Sequence, residues 1–160
     1  MERPFQAYKG DEPYVFVSYS HKDSPTVYPE LTWLRERGFN VWYDEGIEAG
    51  TEWTEELANR ITDARLFLFF VTPNSAEPQN CRNEVNFALT NEIPTLAVHL
   101  KKTDLPRGLS LSLATRQAIL KHTMADQEYR EKLRIRIAAY LEQNVAPAPD
   151  LRSEVLKRVQ

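Results

Sequence analysis

The chain has 160 residues, 42% hydrophobic and 27% charged, enough apolar material for one domain with a real core and too much for a disordered chain. A net charge of −3 leaves no basic surplus for binding a phosphate backbone, and a single cysteine excludes both an internal disulfide framework and a thiolate metal site. Neither the opening "MERPFQAYKG" nor any later run has signal-peptide or membrane-spanning character, so a soluble cytoplasmic protein is expected, with no nucleic-acid or membrane partner.

"YVFVSYS" (Tyr14 to Ser20) reads as the first strand: β-branched and aromatic residues closing on small polar ones. "PELTWLRER" (Pro29 to Arg37) puts Leu31 and Leu34 on one helical face, with Gly38 placed to end the helix. "FNVWYDE" is the second strand, and "GIEAG" (Gly46 to Gly50) a loop with a glycine at each end. Thr51 is an N-cap for a helix that carries Trp53, Leu57, Ile61 and Ala64 at three-to-four spacing. "RLFLFFVT", apolar throughout, is a third strand of the kind buried on both faces.

Next comes "SAEPQNCRNEVNFALTN" (Ser75 to Asn91), a short loop running into a helix with an apolar stripe of Cys81, Val85, Ala88 and Leu89. Glu84 lies on the flank of that stripe, in the first turn, where the face ought to be buried. "IPTLAVHL" (Ile93 to Leu100) is the fourth strand. "KKTDLPRGLSLSLATR" holds no steady period and reads as a loop with one helical turn, followed by a short fifth strand in "QAILKH". From Asp126 to Gln143 the pattern is an amphipathic helix with Tyr129, Leu133, Ile137, Tyr140 and Leu141 on one face. "NVAPAPD" (Asn144 to Asp150) has the composition of a linker, and "LRSEVLKRVQ" could begin another helix. The expected division is an N-terminal extension over 1–12, one domain over 13–143, and a linker with the possible start of a further module over 144–160.

Strands alternating with helices predict an α/β fold: a three-layer, flavodoxin-like arrangement with a five-stranded parallel sheet in the order 2-1-3-4-5. Ligands in such sheets bind outside the carboxyl ends of strands one and three, where the strand order reverses. That rule nominates Tyr19, Ser20 and His21 after strand one, Thr72 to Ser75 after strand three, and Asp44 with Glu45 closing strand two. Glu84 starts the helix that follows strand three, so it points to the same end of the sheet. The usual chemistries of this architecture do not fit. There is no G-x-x-x-x-G-K-[ST], no G-x-G-x-x-G and no G-x-S-x-G, strand three does not end in the aspartate of a phosphoryl acceptor, and the three histidines lack metal-ligand spacing.

The succession "YVFVSYSHKD", "FNVWYDE", "GIEAGTEW" and "LFLFFVTPNSAEPQNCRNEV" resembles a Toll/interleukin-1 receptor (TIR) domain of the bacterial kind, over about Tyr14 to Gln143. The most specific piece is S-x-x-x-x-x-C-x-x-E from Ser75 to Glu84. In TIR domains that cleave NAD the glutamate three residues after this cysteine is catalytic, so the resemblance implies that role for Glu84. Many members carry tryptophan directly before the cysteine, where this chain has Asn80. The Gly46–Gly50 loop corresponds to the family's BB loop, which covers the pocket and joins domain to domain.

The implied activity is hydrolysis or cyclisation of NAD+ with release of nicotinamide, switched on by self-assembly through that loop, in an effector of bacterial defence or signalling. NAD+ is a substrate here, and no cofactor or metal is implied. Expected pocket residues are Tyr19, Ser20, His21, Asp44, Ile47, Trp53, Thr72, Ser75 and Cys81. Several have plainer readings: Cys81 as a packing residue, Trp53 as a core anchor, Ser20 and His21 as turn formers, Asp44 as a cap, and Thr72 and Ser75 as loop braces.

The chemistry is consistent with one carboxylate. Breaking the nicotinamide–ribose bond expels a neutral base and leaves an oxocarbenium-like ribose, which a fixed anion stabilises; the pyridinium needs no acid. Burial favours the neutral form of Glu84 and the helix N-terminus favours the anion, so an enzyme of this kind is expected to keep the site open to water or substrate. Two alternatives stay open: a non-catalytic TIR interaction module, and another N-glycosyl-bond enzyme such as a nucleoside deoxyribosyltransferase.

Overall fold

Five strands, Val15–Ser18 (β1), Val41–Tyr43 (β2), Leu66–Val71 (β3), Thr95–His99 (β4) and Gln117–Leu120 (β5), form one parallel sheet in the order β2-β1-β3-β4-β5. The structure is a computed structural model that describes residues 2–44, 55–77, 81–113 and 117–142. Helices Ser24–Glu36 (α1) and Asp126–Leu141 (α5) share one face of the sheet, while Glu55–Asp63 (α2), Arg82–Thr90 (α3) and Arg107–Leu113 (α4) pack against one another on the other. The expected three-layer fold and strand order are those observed.

The apolar "LFLFFV" of β3 is buried along its whole length because strands flank it on both edges and helices cover both faces. Register aligns Phe16 with Trp42 on one side and Phe67 on the other, and the rings stack at centroid distances of 4.8 and 5.3 Å. This aromatic row ties β2, β1 and β3 together across the sheet. β5, at the edge, buries only Ile119.

α1 begins at Ser24, with a proline in its first turn and Pro29 inside it, earlier than the Pro29 start read from the sequence. Burial of Val27, Leu31 and Leu34, worth about 1.5–3 kcal/mol each, outweighs the roughly 3 kcal/mol cost of an interior proline. Gly38 ends the helix at φ 91°, a left-handed conformation that favours glycine. The segment read as a loop with one helical turn holds the two-turn helix α4. Leu109 and Leu113 are buried at i, i+4, and Leu111 is 79% exposed. β5 stops at Leu120 and a 3-10 turn, Lys121–Thr123, follows it. α2 is described from Glu55, with Leu57 and Ile61 buried; Thr51 and Trp53 lie outside the described residues. α5 buries Tyr129, Leu133, Ile137 and Leu141 and is described to Leu141, with Tyr140 half-buried.

One buried acid couples the two helices of the first layer. Glu30, on the inward face of α1, accepts hydrogen bonds from Tyr129 Oη at 2.6 Å, Lys121 Nζ at 2.7 Å and Arg130 at 2.9 Å.

Candidate functional site at the carboxyl ends of β1 and β3

β1 alternates its side chains, so Phe16 and Ser18 share the face towards α3. Ser18 is the last residue of the strand and is 1% exposed. Its hydroxyl donates to Glu84 Oε1 at 2.6 Å, reaching the third residue of α3. Glu84 is half-buried, and among the described residues no cation pairs with it. Burial is the main reason its carboxyl is pushed up from 4.5 to about 7; the Ser18 bond works against that shift and the charge of Asp44 adds to it. Of the two opposed effects expected at this position, burial prevails over the helix terminus, and near neutral pH both protonation states are populated.

Cys81 precedes α3 and is 3% exposed. Burial first, then the charge of Glu84, pushes its thiol up to about 12, so it stays protonated and serves as packing beside the carboxylate.

A second group of side chains braces the loops around this point. The carboxylate of Asp23, buried in the 3-10 turn His21–Asp23, accepts from Thr72 Oγ1 at 2.5 Å and from Asn74 Nδ2 at 2.9 Å. Thr72 Oγ1 also accepts from the amide of Ser75 at 3.1 Å. Ser75 Oγ in turn accepts from the amide of Thr72 at 2.9 Å and donates to the carbonyl of Phe70 at 2.8 Å. The loop leading from β3 towards α3 is therefore anchored to the turn after β1.

The open rim is formed by His21 and Asp44, 44% and 25% exposed, with Nε2 and Oδ2 3.6 Å apart. Tyr19 is buried beneath His21, its ring stacked on the imidazole at 5.0 Å and its hydroxyl donating to the carbonyl of Asp44 at 3.1 Å. Burial raises the Tyr19 phenol, which stays a donor. Hollows exist elsewhere, such as a groove of about 500 Å3 beside Tyr28, Trp33 and Arg130. It is mostly apolar, whereas the perturbed carboxyl and its polar neighbours converge at the strand ends.

A family model described as the TIR domain matches residues 15–143. The chain belongs to the TIR-domain family. Two solved structures show the same fold. One is the TIR domain of the Toll-related receptor TRR-2 from Hydra magnipapillata, with 13% identity, a TM-score of 0.60, and coverage of 81% of this chain and 98% of that one. The other is the set of TIR domains in the activated Roq1 resistosome that directly recognizes the pathogen effector XopQ, with 14% identity, a TM-score of 0.64, and coverage of 78% and 99%. At these identities the likeness is one of fold. A comparison with curated proteins found no match.

Within this TIR domain the nominated residues fall into three groups. Glu84 and Cys81 adjoin one another, and Tyr19, His21 and Asp44 form the rim. Thr72 and Ser75 are each 1% exposed and their hydroxyls hold the loop; Ser20 is 3% exposed and caps the 3-10 turn, its hydroxyl accepting from the Lys22 amide at 3.3 Å. For these three the structure shows the bracing role of their plainer reading, with the hydroxyls engaged by the protein's own groups. Ile47, Trp53 and the Gly46–Gly50 loop lie outside the described residues. Sequence reasoning missed Ser18 and Asp23. Strand parity puts Ser18 on the face of Phe16 and would have found it; nothing local marks Asp23, whose partners lie 49 and 51 residues away.

Proposed function

We propose that this TIR domain cleaves NAD+ at the nicotinamide–ribose bond, as a glycohydrolase or cyclase, with Glu84 as its catalytic residue. The observation that carries this reading is a carboxylate at the switch point of the sheet, held by one neutral donor and paired with no cation among the described residues. Such a group keeps an oxygen and a negative charge for the substrate. As nicotinamide departs with the bonding electron pair, the ribose becomes oxocarbenium-like. The Glu84 anion accepts from the ribose hydroxyls and offsets the developing charge until water, or an atom of the same nucleotide, closes on the anomeric carbon. The rim of His21 and Asp44 is positioned to meet the polar end of the nucleotide. Assembly of several domains through the Gly46–Gly50 loop is part of the same proposal.

The test is nicotinamide release from NAD+, followed by chromatography at high protein concentration, for the wild type beside Glu84→Gln. Turnover is expected to fall about 10³-fold in the variant and, in the wild type, to rise with pH through about 7 as the anion forms. Equal turnover in the two proteins would remove Glu84 from the chemistry. Asn80, in place of the tryptophan common in the family, favours the non-catalytic interaction module as a second reading. On that reading neither protein consumes NAD+, and Glu84→Gln keeps any signalling output.

A further inference from the structure

Buried serine hydroxyls near strand ends usually bond a nearby backbone carbonyl. Ser18 instead donates to a carboxylate 66 residues further along the chain. Its own main chain is held by the sheet, since Ser18 stands opposite Phe69 in β3 and the residues before it pair with both β2 and β3. The hydroxyl therefore approaches Glu84 from a rigid floor, and at 2.6 Å it occupies one carboxylate oxygen. Cys81 lies against Ser18 as well, so the hydroxyl sits between a thiol and a carboxyl.

We propose that Ser18 is a positioning residue for Glu84: its hydroxyl holds Oε1 from inside the sheet and leaves Oε2 to face the ribose. This rests on the proposed NAD+ cleavage and names the group on which its geometry depends. The titratable side chains described around Glu84 are acids or a thiol, and none of them aids its ionisation. Asp44 faces it from the end of β2, Cys81 from the start of α3, and Asp23 stands behind Cys81 in the turn after β1. Among the described side chains, Ser18 is the one that favours the anion. The same hydroxyl thus sets both the direction of the carboxylate and the pH range in which it is charged.

The experiment is a ¹³C NMR titration of the Glu84 carboxyl in the full chain for wild type, Ser18→Ala and Ser18→Cys, with nicotinamide release measured across the same pH range. In Ser18→Ala the titration midpoint is expected to rise by about one pH unit, and the alkaline rise in turnover to move with it. At a pH above both midpoints kcat is expected to fall about tenfold with KM little changed, because the anion is restored but not its direction. Ser18→Cys, with a weaker donor, is expected to fall between the two. A midpoint unchanged in both variants overturns the proposal. A midpoint that rises while no protein consumes NAD+ keeps Ser18 as the holder of Glu84 and overturns the assigned reaction instead.

Discussion

Glu30 and Glu84 are both carried by helices packed on the sheet, one on each face, and their surroundings are opposite. Glu30, 2% exposed, is saturated: a phenol and two cations reach its oxygens, and each comes from the β5–α5 end of the chain. Among the described residues Glu84 has one hydroxyl donor, and the charge that acts on it is that of another acid, Asp44. A carboxylate whose bonding capacity is filled by its own protein has nothing left for a ligand and acts as a clasp. One that is left short costs stability and holds its second oxygen in reserve. Burial alone would not tell the two apart; the number and charge of the partners does.

Removing the clasp should be the costliest way to break this contrast. Glu30→Ala leaves a buried phenol and two cations without their acceptor. A loss of about 3 kcal/mol is expected, at the low end of the range for a buried pair because Lys121 and Arg130 remain 28% and 23% exposed. A thermal melt should show Tm lower by roughly 10 °C, while NAD+ turnover per folded molecule stays the same. A larger change in turnover than in melting would end the view of Glu30 as purely structural.

Glu84 should behave in the opposite sense. Its carboxyl lies above the unfolded value, so the neutral form is the one the fold prefers. The native state therefore has its full stability below about pH 4.5 and loses part of it as pH rises to about 7, with no further loss beyond. The difference between 4.5 and 7 caps the effect at about 3 kcal/mol. Denaturant melts at pH 5 and pH 8 should show this loss in the wild type and a smaller one in Glu84→Gln; parallel pH dependence in the two would contradict the assignment. The smallest effect is expected for Lys121→Ala, about 0.5–1 kcal/mol by chemical denaturation, since Glu30 keeps Tyr129 and Arg130. That redundancy is what Glu84 lacks, with Ser18 its one donor among the described residues.

Much of the fold was legible because the strands are short apolar runs and the helices show three-to-four spacing. The order 2-1-3-4-5 followed from alternation together with the arrangement that five-stranded sheets of this kind most often adopt. What escaped has physical reasons. Leu109, Leu111 and Leu113 alternate like a strand, and only tertiary packing chooses the buried i, i+4 pair within α4. Pro29 looked like a helix start, yet Val27, Glu30, Leu31 and Leu34 already mark the inward face of α1, the glutamate included. At the candidate site Glu84 was visible through its motif and its place on the helix. Ser18 and Asp23 were not, because what distinguishes them is a partner brought from the far side of a parallel crossover.

That distance has a consequence for how the molecule comes to exist. The bond from Ser18 to Glu84 closes 66 residues of chain, and the bond from Tyr129 to Glu30 closes 99. Both are long loops whose entropy must be lost before the contact gives anything back, which places this domain among the slower folders of its size. During synthesis α1 emerges with Glu30 bare and waits for α5, nearly at the end of the domain, to cover it. The pair at the crevice is complete once α3 has docked, whereas the clasp closes only with the last helix. A nascent chain halted before Asp126 would hold Ser18 and Glu84 within one sheet-and-helix unit and still lack its lock.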